Sequence, residues 1–280
     1  MRRLLKIEWN KIFYYKATRT FTIIYFVILL AAGFILANIK PSIGGVKVNI
    51  VKMGMFDFPV VWQNLTYLIS ILKIFIGVII ITNVTAEYSN STLKQNLIDG
   101  LTKKEFLTSK IMTNLIFAFL STLFVFGIAL SLGLMFSNGE QSPLKGMEFI
   151  AAYFLKLNLF FSICLFLSIL LRKTAFAFLG LIVLWMGEGL ISATEVIVKG
   201  FMGEGGLKNI DPYGFYVTNF LPLNTSSKLI DFPSINTEGF FVGGSIFRYT
   251  SIDYQYVIAA VVYFVLFTFL SYRLLKKRDL

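Results

Sequence analysis

Six long apolar runs separated by short polar segments constrain this chain more than anything else in it. A helix rises 1.5 Å per residue, so about 20 apolar residues cross roughly 30 Å of hydrocarbon. Runs of that kind recur at 20–38, 59–84, 111–136, 149–171, 174–192 and 254–272. Inside a bilayer every backbone N–H and C=O must be satisfied within the segment, which favours helices for such runs. The expected fold is therefore an all-α membrane protein with six transmembrane helices. Composition agrees. Residues are 56% hydrophobic and 15% charged, where a soluble domain carries about 25% charge. Only Arg172 and Lys173 separate runs four and five, so a tight turn is required there. Asp57 and Pro59 read as cap and first turn of span two. Trp62, Tyr67, Tyr153, Tyr254 and Tyr272 fall near span ends, as interfacial aromatics do.

Lysine and arginine set the expected orientation. With the N-terminus inside, residues 1–19, 85–110, 172–173 and 273–280 face the cytoplasm and hold 16 of the 26 Lys and Arg in 55 residues. The opposite segments hold 8 in 93. Both termini are thus expected in the cytoplasm, and the net charge of +11 reads as a topology signal. No basic patch is interleaved with a foldable soluble domain, so nucleic acid is not an expected partner. Residues 1–19 carry Arg2, Arg3, Lys6, Lys11, Lys16 and Arg19 among aliphatic and aromatic side chains. That pattern predicts an interfacial amphipathic helix with its cations near the headgroups of membrane lipids. A cleaved signal peptide is the rival reading. The charged region is too long for one, and five more spans follow.

Residues 85–110 are the most readable polar segment. Thr102 and Glu105 have capping-box spacing, which predicts a helix from Lys103 into span three. Thr92–Asp99 places Leu93, Leu97 and Ile98 on one face of a short helix, and Gly100 stands where its C-terminus needs a positive φ.

Scarcity is informative too. The single cysteine, Cys164, lies inside span four, and there is no histidine. No Cys/His cluster has metal-ligand spacing, and no catalytic residue stands out. Gly-Lys does not occur, which excludes the ATPase phosphate loop. The cytoplasmic segments are too short for a nucleotide-binding domain, so any ATP used is hydrolysed by another chain and this one is not expected to be an enzyme.

The order of basic aromatic N-terminal stretch, span, external loop, span and AEYSNSTLKQNLIDGLTKKEFLTSK resembles the permease subunits of bacterial type-2 ATP-binding-cassette exporters. The matching positions are Glu87, Thr92, Leu93, Lys94, Gly100, Phe106 and Lys110. Asp99-Gly100-Leu101 departs from the proline- or arginine-rich turn of many relatives, and 193–253 is long, which leaves the substrate open. The resemblance implies that Thr92–Asp99 is a coupling helix seated in a separate ATPase. Leu93, Leu97 and Ile98 would form its apolar face, with Lys94, Gln95 and Asn96 around it. It further implies a homodimer or a heterodimer with a second permease in the bacterial cytoplasmic membrane, with ATP and Mg on the partner. On the residues alone, a helix that merely rests on the bilayer fits as well.

Lys73, Lys156 and Glu188 are ionisable groups within spans and hence functional candidates. Lys156 and Glu188 sit at similar depth in consecutive spans, so they either pair or snorkel to the outer interface. Lys73 is deeper, and lines a path for an acidic substrate or pairs across a dimer. The external segment 193–253 is too apolar for a solvated loop and too broken for a span, which suggests re-entrant or interfacial helices. Two further readings remain: an ion-driven secondary transporter, which would need an inverted repeat and midplane carboxylates, or a relative acting in mechanotransmission or immunity without transport.

Overall fold

The computed structural model describes residues 2–38, 42–43, 46–47, 51, 53–137, 142–202, 215–235 and 247–278. In chain order the helices are α1 (Arg2–Tyr14), α2 (Lys16–Asn38), α3 (Val60–Ile69), α4 (Lys73–Ser89), α5 (Thr92–Ile98), α6 (Lys103–Phe136), α7 (Glu148–Leu171), α8 (Thr174–Met202), α9 (Pro222–Lys228) and α10 (Tyr254–Lys277). Six helical segments are long and apolar enough to cross a membrane: Thr18–Ile35, Val60–Ser89, Lys103–Phe136, Glu148–Leu171, Thr174–Phe201 and Tyr254–Lys277. The protein is a helical, multi-pass membrane protein. Its departure from all-α is small. Ser42–Ile43 pairs antiparallel with Val46–Lys47, and Ser234–Ile235 pairs antiparallel with Phe247–Arg248.

Helix α7 is the hub. Tyr153, Leu157, Leu159, Ile163, Cys164 and Ile169 are fully enclosed along it, and it packs on α3, α4, α6, α8 and α10. Close approach at its crossing with α4 depends on Gly77. A Cβ there would come within 2.8 Å of the Phe160 ring and 3.2 Å of Cys164 Sγ. Small residues of this kind let membrane helices approach where no hydrophobic force drives them together. Buried hydroxyls solve their own desolvation locally. Thr66, Thr85, Ser121, Thr122, Ser168 and Ser271 each donate to the carbonyl four residues earlier, at 2.6–2.7 Å. A polar side chain satisfied on its own turn leaves nothing exposed to hydrocarbon.

The turn between α7 and α8 has the expected tightness. Arg172 adopts a left-handed φ of 59°, and Lys173 N–H reaches back to Leu171 O at 2.7 Å. Other boundaries differ from the sequence reading. Span two is not one helix: a 3-10 turn at Ser70–Leu72 interrupts it just before Lys73. Pro59, and not Asp57, occupies its N-cap position. The Asp57 carbonyl instead receives Val61 N–H at 2.9 Å. The fifth helix runs on to Met202, ten residues past the expected end at Ser192. Trp62 and Tyr153 are not interfacial but fully buried. Trp62 stacks on Phe126 at 5.5 Å and donates its indole N–H to Pro143 O at 3.0 Å, so protein takes the place of the headgroup layer. Of the external segment 193–253, positions 203–214 and 236–246 lie outside the described residues. The rest contains a 3-10 turn at Val217–Phe220 followed by α9.

The start of α6 and the ends of α7 and α10 meet at one end of the bundle. Arg278 donates to Ile169 O at 2.7 Å and Leu170 O at 3.0 Å, and Lys103 Nζ donates to Arg278 O at 2.7 Å. Ser142 and Ser234 belong to loops of the opposite end. Single cysteines at Ser142 or Ser234, in a Cys164→Ala background, should react in intact cells with a membrane-impermeant thiol reagent. A cysteine at Ser91, exposed beside α5, should react only after permeabilisation. The reverse pattern would invert the orientation inferred from the lysine bias.

Candidate functional site

At the end of the bundle that holds α5, four charges from three helices meet below the surface. Lys110, in the second turn of α6, donates to Glu8 Oε2 at 2.6 Å and to Glu87 Oε1. Lys11 donates to Glu87 Oε1 at 2.9 Å and to Glu8 Oε1 at 3.3 Å. Glu8 and Lys11 lie one turn apart on α1, and Glu87 lies in the last turn of α4. Lys110, Glu8 and Glu87 are buried, at 2%, 3% and 3% exposed, and Lys11 is half-buried. Two carboxylates and two ammonium groups balance, which is the condition under which buried charge is tolerable. Burial raises the Glu8 carboxyl's affinity for a proton, but the Lys110 and Lys11 charges outweigh it and hold Glu8 below its ordinary value. Glu87 Oε2 is buried without a hydrogen-bond partner.

Helix α5 hangs directly from this cluster. Ser91 begins it with a left-handed φ of 55°. Gly100, with φ of 96°, ends it as the sequence predicts: Leu101 N–H bonds Asn96 O at 2.9 Å and Gly100 N–H bonds Leu97 O at 3.2 Å, a Schellman stop. Thr102 and Glu105 then form the expected capping box, with Thr102 N–H to Glu105 Oε2 at 2.9 Å and Glu105 N–H to Thr102 Oγ1 at 3.2 Å. Thr92 Oγ1 reaches Glu87 O at 3.4 Å. The apolar face divides in an unexpected way. Leu93 is 2% exposed and packs into this chain's own core, Leu97 is half-buried against that core, and Ile98 stands 78% exposed. The outward surface is therefore Lys94, Gln95, Ile98 and Asp99, while Thr92 and Asn96 are half-buried. Leu93 is corrected from a partner-facing residue to an anchor, and Glu87, one of the positions matching the family motif, lies at the centre of the ion cluster.

Near the opposite end, Lys73, Lys156 and Glu188 converge on α9 and not on one another. Glu188 accepts from Leu223 N–H at 3.0 Å and Asn224 N–H at 2.9 Å, at the start of α9. Lys156 Nζ reaches Ser227 O at 3.5 Å, and Lys73 Nζ reaches Ser226 Oγ at 3.3 Å, at the other end of that helix. The carboxylate thus sits where the helix dipole is positive and the ammonium groups where it is negative. No ion pair joins Lys156 to Glu188 among the described residues, so of the two alternatives the direct pair is the one the structure does not show. Lys73 also lies over the Phe160 ring at 5.0 Å. Two turns beyond Glu188 on α8, Glu195 accepts from Val217 N–H and Thr218 N–H at 2.8 Å each.

Residues 47–198 match the model of a family described as a protein of unknown function, DUF2705. The match covers more than half of the chain. The chain belongs to this family. No curated protein matches it. The DUF2705 region includes Glu87, α5, Lys110, Lys73, Lys156 and Glu188, whereas Glu8, Lys11 and α9 lie outside it. Among the described residues no group of acidic or thiol side chains is placed to hold a metal ion.

Sequence reading did not find Glu8, Glu195 or Gln63, and it set Lys11 among the headgroup cations, whereas the structure turns Lys11 onto Glu8 and Glu87. Gln63 Nε2 donates to Asp231 O at 3.1 Å and Thr250 Oγ1 at 2.7 Å, bracing the loops at that end of the bundle. The seven-residue spacing of Glu188 and Glu195 on one helix face was an available signal, hidden once the span was ended at Ser192. Nothing in the sequence marks Glu8 as buried.

Lys110→Met leaves two carboxylates without their main counter-charge and should cost about 3–5 kcal/mol, read as a lower thermal midpoint in detergent. Because the folded Glu8 carboxyl is held below its ordinary value, its contribution is present above about pH 4.5 and is lost as pH falls through the folded value. The midpoint gap between the native chain and Glu8→Gln should therefore close on acidification below about pH 4.5. Exchanging the other two charges, Lys156→Glu with Glu188→Lys, should be no more stable than either single change. Each exchanged group would face the wrong end of α9. Recovery in the double variant would mean that the pair meets directly.

Proposed function

We propose that this chain is the membrane-spanning permease subunit of a bacterial type-2 ATP-binding-cassette exporter. It resides in the cytoplasmic membrane and works as a homodimer or heterodimer with a separate ATPase that binds ATP and Mg. The observation that carries this reading is α5: a short helix bounded by a glycine stop and a capping box, anchored inward by Leu93, with Lys94, Gln95, Ile98 and Asp99 left facing outward. A surface of one exposed apolar residue ringed by polar groups suits a protein groove.

The reading also accounts for the ion cluster. A push on α5 passes through Leu93 into the core and through Glu87 to Lys110 and Glu8. Helices α4, α6 and α1 then respond together, as a rigid-body switch between two arrangements requires. At the far end, the broken second span and α9 place Lys73 beside a polar helix terminus, the kind of discontinuity that lines transport paths. The chain supplies no ATP chemistry in this scheme. It converts movement of the partner into rearrangement of spans.

The test separates partner contact from folding. Lys94→Glu with Ile98→Asp changes only exposed residues, so the thermal midpoint should hold within about 0.5 kcal/mol equivalent. Co-purification with the partner ATP-binding-cassette ATPase, and ATP turnover of the reconstituted complex, should fall about tenfold or more. Leu93→Asp should instead lower the thermal midpoint of the chain by itself. An undiminished complex and turnover in the Lys94/Ile98 variant, or ATP turnover by the purified chain alone, would overturn the proposal.

A further inference from the structure

Between α1, α2 and α6 lies a cavity of about 380 Å³, within the range of sites that hold small ligands. Its walls are apolar: Trp9 and Phe13 from α1, Ile23 and Phe26 from α2, Ile116 and Leu120 from α6. The two threonines in the wall do not make it polar. Thr22 donates its hydroxyl to Thr18 O at 2.8 Å, and Thr113 donates to Ser109 O at 2.9 Å. Lys6 and Arg19, both exposed, complete the lining. Neither has a carboxylate within ion-pair distance among the described residues.

The cavity therefore has polarity along one direction. Arg19 lies in the first turn of α2 and Phe26 seven residues further on, about 10 Å deeper along the helix. Two cations without a carboxylate partner among the described residues thus line the cavity together with aromatic and aliphatic groups. We propose that this groove is a binding site for one anionic phospholipid, its phosphate between Lys6 and Arg19 and an acyl chain between α1, α2 and α6. An apolar peptide or a neutral small molecule would leave both cations unused. A free phosphate would leave the apolar walls empty. Since α1 also carries Glu8 and Lys11, a lipid seated against Trp9 and Phe13 clamps the helix that the ion cluster holds from its other face. The inference stands apart from the exporter reading, because it needs no ATPase.

Trp9 reports occupancy directly. It is 49% exposed in the groove, whereas Trp62 is fully enclosed, and a Trp185→Phe background removes the third tryptophan, which is open to surrounding lipid. The full chain in neutral detergent is titrated with brominated-chain phosphatidylglycerol or with phosphatidylcholine of the same chains. Quenching of Trp9 should begin at roughly tenfold lower mole fraction for the anionic lipid, since each nearby cation favours an anionic surface. Lys6→Gln with Arg19→Gln should bring the two lipids to the same mole fraction. Millimolar glycerol phosphate should not relieve the quenching. Equal quenching by both lipids in the chain with Lys6 and Arg19 intact would reduce the groove to ordinary boundary lipid and overturn the proposal. So would a preference that survives in the double variant, or relief by glycerol phosphate.

Discussion

The arrangement at one end of the bundle depends on burying four charges without leaving any unbalanced. Lys110 is nearly inaccessible, and a lone ammonium there would be expensive. Glu87 and Glu8 make it tolerable, and Lys11 restores neutrality. The consequence is mechanical as well as energetic. Because the partners come from α1, α4 and α6, the helices cannot separate without stranding charge. The N-terminal helix α1 is thereby made part of the helical body.

The opposite end meets the same requirement with different means. There, side-chain charges are matched chiefly to backbone ends, although Glu195 also pairs with Lys199 at 3.2 Å and Lys228 with Asp231 at 3.3 Å. Glu188 and Glu195 receive the free N–H groups of a short helix and of the 3-10 turn before it, while Lys156 and Lys73 meet the helix's other terminus. Buried irregular backbone persists only where protein satisfies its polar groups. Long helix α8 does so for residues 217–224, and Gln63 does so for the loops at Asp231 and Thr250. The two ends therefore differ in character. One is locked by ion pairs among long helices, and the other is assembled from short pieces held by hydrogen bonds to the spans.

Between them, the bundle is held by close contact. Glycine at the α4–α7 crossing lets the helices approach closely, and hydroxyls bonded to their own helices satisfy buried polar groups. The faces of α2, α8 and α10 that carry Phe34, Trp185 and Val262 are left outward, where hydrocarbon replaces protein as solvent.

Local features were legible in the sequence wherever the cause is local. The six spans follow from run length, the α6 start from Thr102 and Glu105, the α5 stop from Gly100, and the α7–α8 turn from two basic residues between long apolar runs. Each depends on residues within a few positions of one another. Tertiary structure alone decided which faces are used. Leu93 and Ile98 look alike on a helical wheel, yet one anchors the core and the other faces outward, because α5 packs back on α4. Lys156 and Glu188 appear matched in depth, but α9 comes between them and offers better partners at both ends. Glu8 reads as one charge among many in a basic amphipathic helix. Its burial results from a contact 102 residues away in the chain, and pattern within a segment carries no information about such distant pairs.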